Sequence, residues 1–245
     1  MKLRWILRVG LCALLVAPLA TQAAQADSSP PINFEGLQFT ADSIEAAVPL
    51  PITGMTAINR DGQIHYVSKN GRFVLTGQMY DLWYGEFVDS IEQMKDLGSR
   101  IDLKKMGLDP ASLNSVSFGT GSKQVVMFTD PLCSYCHALA NDLKAFENEY
   151  TVHLVVIPAL GEKSNELASK VSCALDKDEA LAAVLNGTLD TLPLQENCDQ
   201  TTYQSTLVAS QVLDINGVPF LIADDGRVAR GRPSDLGQWL KGGDS

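Results

Sequence analysis

Hydrophobic and polar positions change their period along this chain, and each change marks a different kind of element. Between residues 52 and 80 apolar and polar positions mix in short bursts, at residues 55–59, 64–67 and 73–76. Asp61-Gly62 and Asn70-Gly71 separate the bursts, and Gly77 closes the last. That pattern predicts a small antiparallel sheet. Such a sheet buries little by itself, so it needs a second surface, and pairing of two chains is one remedy. The period then lengthens. Ile91, Met94, Leu97, Ile101 and Leu108 recur at roughly helical spacing among charged residues, behind Asp89 or Ser90 as a cap. This predicts a helix over about 88–106, inside a linker that spans 88–112.

A third regime begins after Gly119 and Gly121. Residues 124–129 form a short apolar run rich in β-formers, followed by Asp130-Pro131. Residues 133–150 then carry Leu139, Leu143 and Phe146 on one helical face, and residues 152–157 form a second apolar run. Strand, helix and strand in that order predict a parallel pair with a right-handed crossover. Residues 163–214 are rich in Ala and Leu and read as a helical insertion. Strands at 219–223 and 228–230, joined by Asp224-Asp225-Gly226, precede a closing helix at 234–241. The chain is therefore expected to be α+β: a signal peptide at 1–26, a small antiparallel domain at 27–87, a linker helix at 88–112 and a C-terminal α/β domain with a helical insertion at 113–245.

The first residues bear on location. Lys2, Arg4 and Arg8 precede an almost wholly apolar run from 9 to 20, and Ala24-Gln25-Ala26 gives the small-x-small pattern of a cleavage site. The run is too short for a membrane span, and Pro18 interrupts its end. Leu11 before Cys12 does not fit a lipid-attachment site. Export to the periplasm with loss of this leader is expected. The leader holds three of the 19 basic residues and none of the 29 acidic ones, so its removal takes the net charge from −10 to −13. A charge of that sign disfavours nucleic acid as a partner.

Loss of Cys12 leaves four of the five cysteines. Cys133 and Cys136 stand one helical turn apart and can pair, which leaves Cys173 and Cys198 for each other. Cys133-Ser134-Tyr135-Cys136 sits just after a strand and at the start of a helix, where unpaired amides and the helix dipole stabilise an anion. Cys133 is accordingly the expected nucleophile and Cys136, one turn inward, the resolving thiol. A zinc site would need two more ligands, and His137, His153, Cys173 and Cys198 do not supply them at finger spacing. No cofactor and no metal are expected. His137 is a weighed candidate for acid–base work, with a plain place on the helix surface as the commoner outcome. Far along the chain, Gly217-Val218-Pro219-Phe220 opens an apolar strand, and a proline that cannot donate to the ladder belongs at such a start.

The segment from Val126 to His137, reading Val-Met-Phe-Thr-Asp-Pro-Leu-Cys-Ser-Tyr-Cys-His, resembles the active-site segment of the DsbC/DsbG family of periplasmic disulfide isomerases. Asn70-Gly71-Arg72-Phe73 and Gly77-Gln78-Met79-Tyr80-Asp81 are similar to the family's dimerisation segment, and Cys173 and Cys198 are placed like its structural disulfide. The resemblance, from about residue 50 onward, implies a V-shaped homodimer with a thioredoxin-like catalytic domain in each arm. It also implies misfolded secreted proteins as substrates and a membrane thiol reductase as the recycling partner. A cis Val218-Pro219 bond against the dithiol would offer the backbone of Val218 to an extended substrate. The Ser134-Tyr135 spacer departs from the Gly-Tyr and Pro-Tyr spacers of the two named branches, which bears on the balance between isomerase and reductase. A reductase of oxidised single cysteines and a dimeric holdase are the competing readings. Phe118, Trp83, Tyr84 and Phe87 are candidates to line a binding cleft, although buried packing is the more frequent fate of such residues.

Overall fold

The computed structural model describes residues 43–50 and 54–243. The leader expected at 1–26 and the start of the first domain lie outside those residues. Four strands, β1 (Ala46–Pro49), β2 (Met55–Arg60), β3 (Gln63–Ser68) and β4 (Val74–Thr76), form an antiparallel sheet in sequence order. Asp61 and Gly62 join β2 to β3 with φ of 53° and 73°. Two positive φ values in succession match the right-handed twist of the strands they connect. Between β3 and β4, the Asn70 side chain accepts from the Ser68 hydroxyl at 2.7 Å and from the Arg72 amide at 3.1 Å, which holds the chain in its reversal. A two-stranded ribbon, β5 (Met79–Asp81) and β6 (Glu86–Val88), follows.

Helix α1 (Ile91–Ser99) packs on β1 and β2. It starts at a complete capping box: the Ser90 hydroxyl accepts the Gln93 amide, and the Gln93 side chain accepts the Ser90 amide. Val48, Leu50, Ala57, Tyr66, Val88, Ile91 and Met94 form the core beneath it. The helix is shorter than the apolar spacing predicts. Arg100 is already extended, at φ −131° and ψ 144°. It makes a bridge with Arg227, and the Ile101 amide donates to the Gly226 carbonyl at 2.7 Å. The cause is a change of core: Met94 and Leu97 belong to the N-terminal cluster, whereas Ile101, Met106 and Leu108 pack into a different one further along.

The second sheet has the order β11-β10-β8-β9-β7, with β7 (Ser115–Phe118), β8 (Lys123–Thr129), β9 (Tyr150–Val156), β10 (Phe220–Ile222) and β11 (Val228–Arg230). β8 and β9 are parallel, linked by α2 (Ser134–Leu143), and the other neighbours are antiparallel. α2 stops earlier than expected because a 3-10 turn, Lys144–Phe146, tightens its end before β9 begins. The insertion comprises α3 (Glu162–Ala168), α4 (Lys177–Asn186) and α5 (Thr201–Val212), and α6 (Leu236–Leu240) closes the fold. Alternation along the strands splits the interior into two layers. Val125, Met127, Val152, Leu154 and Leu221 face α2 and α4, while Val126, Phe128, Val155, Phe220 and Ile222 face the opposite side. At the β7–β8 turn the backbones touch: a Cβ on Gly119 would lie 2.2 Å from the Tyr150 carbonyl oxygen, and one on Gly121 1.9 Å from Glu149.

Candidate functional site

The dithiol stands at the carboxyl end of β8, the central strand. Cys133 is the N-cap of α2, and its sulfur accepts the Cys136 amide at 3.2 Å. The two cysteines are bonded to each other with Cα atoms 5.2 Å apart; Cys136 is fully buried and Cys133 is 8% exposed. An amide pointing at the first sulfur and the free end of a helix behind it are what a thiolate needs to form below its ordinary pH. Exposed apolar side chains adjoin this buried pair along the chain, Leu132 and Tyr135, Tyr135 by 82%, and Leu160, also exposed, lies in the loop tied to Asp130.

The turn before Cys133 is held by a buried carboxylate. Asp130 Oδ1 accepts the Leu132 amide at 2.7 Å and the Ser164 hydroxyl at 2.8 Å, and Oδ2 accepts the Leu160 amide at 2.9 Å. The Asp130 carbonyl in turn accepts the Cys133 amide at 3.1 Å. The sequence assigns Asp130-Pro131 no role at the site. An acidic residue between a mostly apolar strand and a nucleophile is the signal that was available.

The Val218-Pro219 peptide bond is cis. β10 starts at the next residue, where Phe220 pairs with Phe128 on β8, so the antiparallel register sets Pro219 beside the end of β8 from which the dithiol turn departs. Val218 packs against the apolar cluster that contains Cys133 and Cys136. The Pro219 carbonyl accepts the Gly231 amide at 2.8 Å, which anchors the bend to β11.

The other sequence candidates lie elsewhere. Cys173 and Cys198 are bonded, with Cα atoms 5.4 Å apart, and the Gln200 side-chain amide donates to both sulfurs. His137 sits on α2 with its ring against Gly187 at the end of α4, and its Nε2 is buried without a hydrogen-bond partner. His153 is buried in β9, neither ring nitrogen has a partner, and burial lowers its pKa from the ordinary value against a smaller opposite pull from Asp109. Of the aromatic residues considered for a cleft, Trp83 and Phe87 are exposed, which corrects the expectation of buried packing; Phe118 is half-buried against the main core. Among the described residues, the β5–β6 ribbon pairs only with itself. Tyr84 is half-buried with the Lys105 ammonium 3.9 Å above its ring. Among the described residues no group of three or more His, Cys, Asp or Glu side chains is arranged to hold a metal ion.

Residues 21–90 match the family described as disulfide bond isomerase protein N-terminal domain, and residues 115–235 match the thioredoxin-like domain. The chain belongs to the DsbC/DsbG family. It is 25% identical over 228 residues to the thiol:disulfide interchange protein DsbC of Dickeya dadantii, covering 91% of this chain and 90% of that one. Its identity to the DsbC of Escherichia coli K12 is 22% over 197 residues, covering 78% and 79%. A solved disulfide interchange protein from Neisseria gonorrhoeae aligns at 21% identity with a TM-score of 0.45, over 55% of this chain and 96% of that one. As a DsbC/DsbG-family protein the chain is α+β, with an N-terminal antiparallel region and a thioredoxin-like C-terminal domain, and it is a thiol:disulfide oxidoreductase. No helix among the described residues is long and apolar enough to cross a membrane.

Proposed function

We propose that this thiol:disulfide interchange protein works as an isomerase, reshuffling non-native disulfides in secreted proteins, with Cys133 as nucleophile and Cys136 as resolving thiol. The observation that carries the reading is the Cys133 sulfur at the free end of α2, where it accepts the Cys136 amide. In the exchange, the Cys133 thiolate attacks one sulfur of a substrate disulfide. A Cys133–substrate bond forms, the substrate bond breaks, and the second substrate sulfur leaves as a thiolate. If a substrate thiolate then attacks the substrate sulfur of the mixed disulfide, Cys133 is released and the substrate has gained a new pairing with no net change of oxidation state. If Cys136 attacks Cys133 instead, the Cys133–Cys136 bond seen here forms and the substrate leaves reduced by two electrons. A membrane thiol reductase is the expected source of the electrons that restore the dithiol.

Val218 and Pro219 are assigned to the substrate backbone, Cys173–Cys198 to a permanent bridge, and the exposed Leu132, Tyr135 and Leu160 to apolar side chains of a misfolded substrate. We assign residues 1–26 to a cleaved leader that sends the protein to the periplasm, 27–87 to pairing of two chains, 88–112 to the linker and 113–245 to catalysis. The exposed Phe73, Leu75, Tyr80, Leu82, Trp83 and Phe87 support the pairing assignment. Recovery of activity from scrambled ribonuclease, set beside insulin reduction, tests the proposal. Efficient recovery with modest insulin reduction is the expected result. Strong insulin reduction without recovery makes the protein a reductase, and binding without either makes it a holdase.

A further inference from the structure

Three segments meet on one wholly buried carboxylate beneath the dithiol. Through Oδ1 and its own carbonyl, Asp130 accepts the amides of Leu132 and Cys133, two successive residues of the turn that delivers the sulfur. Through Oδ1 and Oδ2 it also accepts the Ser164 hydroxyl on α3 and the Leu160 amide in the loop before it. The Thr129 carbonyl, one residue earlier, accepts the Ile157 amide at 2.9 Å, so the same loop is tied twice to the end of β8. Burying a carboxylate is costly unless donors meet it, and here three do, all of them uncharged. A neutral side chain could not replace them: an amide offers one acceptor oxygen, and its nitrogen would face the Leu160 amide, donor against donor.

The reach of this carboxylate is visible further back. Tyr203, buried on α5, has its pKa raised first by burial and then by the charge of Asp130. Its hydroxyl donates to the Asn165 side chain, one residue after Ser164. The turn, α3 and α5 are thus held in one polar cluster that ends under Cys133.

We propose that Asp130 is a positioning residue for Cys133, fixing the attacking sulfur at the free amides of α2 and fixing Leu160 beside it. The proposal rests on the reading of Cys133 as nucleophile. Two influences of Asp130 on a thiolate oppose each other. Its negative charge disfavours a second anion nearby, whereas its hydrogen bonds hold the sulfur where the helix end favours one. We take the geometric influence to govern, because Asp130 is hydrogen-bonded directly to the amides of Leu132 and Cys133 that deliver the sulfur.

Three substitutions separate the two influences in the full-length protein carrying Cys136→Ala, where Cys133 is the only thiol at the site. Ser164→Ala keeps the charge and removes one donor. Asp130→Asn removes the charge and sets its amide against that of Leu160. Asp130→Ala removes every side-chain bond. The ultraviolet absorbance of the Cys133 thiolate, followed against pH, is expected to move upward, least for Ser164→Ala and most for Asp130→Ala. Reaction with a small aromatic disulfide at neutral pH is expected to slow by about tenfold in Asp130→Ala, as the thiolate fraction falls. A downward move in Asp130→Asn would mean that charge governs and would overturn the proposal. So would a titration unmoved in all three variants while their unfolding temperatures fall, because that is a purely structural role. A titration that survives Cys133→Ala would overturn the nucleophile assignment itself, and is read separately for that reason.

Discussion

The N-terminal region and the catalytic region solve the problem of a hydrophobic interior to different degrees. Among the described residues, the four-stranded sheet and α1 enclose a core of seven buried apolar residues, with Ala57 and Met94 fully inaccessible. Yet Phe73, Leu75, Tyr80, Leu82, Trp83 and Phe87 stay exposed on or beside β4, β5 and β6, and β4 is an edge strand. The catalytic region fills both faces of its five-stranded sheet and leaves its central strands β8 and β9 wholly buried beyond their first two residues. Its exposed apolar residues near the site are few, Leu132, Tyr135 and Leu160. Among the described residues, a region with so much uncovered apolar surface and an edge strand calls for a further surface, whereas one with a closed core can hold a reactive bond just beneath its surface.

Substitutions on the two sides of this contrast should fail differently. The largest effect is expected from Cys133→Ala, which should reduce exchange to the uncatalysed level, while Cys136→Ala should accumulate mixed disulfides visible on a non-reducing gel. If the trapping is seen in Cys133→Ala instead, the two roles are reversed. Next, Leu75→Asp together with Phe87→Asp should turn a sedimenting dimer into a monomer. Insulin reduction should persist while recovery of scrambled ribonuclease falls roughly tenfold or more, because two dithiols no longer share one substrate. A monomer with full isomerase activity would break the link between the two regions.

Smaller effects should concern stability. Replacing Cys173 and Cys198 by Ala opens a bridge of sequence separation 25 and should lower unfolding stability by about 2 to 4 kcal/mol, with the thiolate chemistry of Cys133 unchanged. The smallest effect should be seen with pH. Burial lowers the pKa of His153 from its ordinary 6.5, so between that value and the folded one the unfolded chain binds more protons. Stability contributed by neutral His153 is therefore present above pH 6.5 and lost as pH falls through the folded value. His153→Phe should flatten that acid-side decline in urea titrations, and an unchanged slope would remove His153 from the account.

The two regions were also unequally legible in the sequence. In the N-terminal region the Asp61-Gly62 and Asn70-Gly71 turns revealed three strands, because hairpin chemistry is local. The linker helix was over-read for the opposite reason: Ile101 and Leu108 keep the helical spacing but serve another core. β7 was missed because Ser115-Val116-Ser117-Phe118 carries only two large apolar residues and owes its place to pairing with β9. At the site, the cysteine spacing and the strand before it announced the chemistry. The support given by Ser164, separated from Asp130 by 34 positions, has no local signature, since neither residue shows in sequence what it faces.

The contacts at Gly119 and Gly121 set a limit on how this lineage can vary. In most cores a larger side chain can be accommodated when a neighbour shrinks, so a harmful change has possible suppressors elsewhere. Here the obstacle to a Cβ is main chain, the Tyr150 carbonyl oxygen in one case and the Glu149 peptide in the other. No exchange of neighbouring side chains makes room. Any substitution at these two positions should therefore resist rescue by second-site changes, and a library selected for activity should return glycine at both.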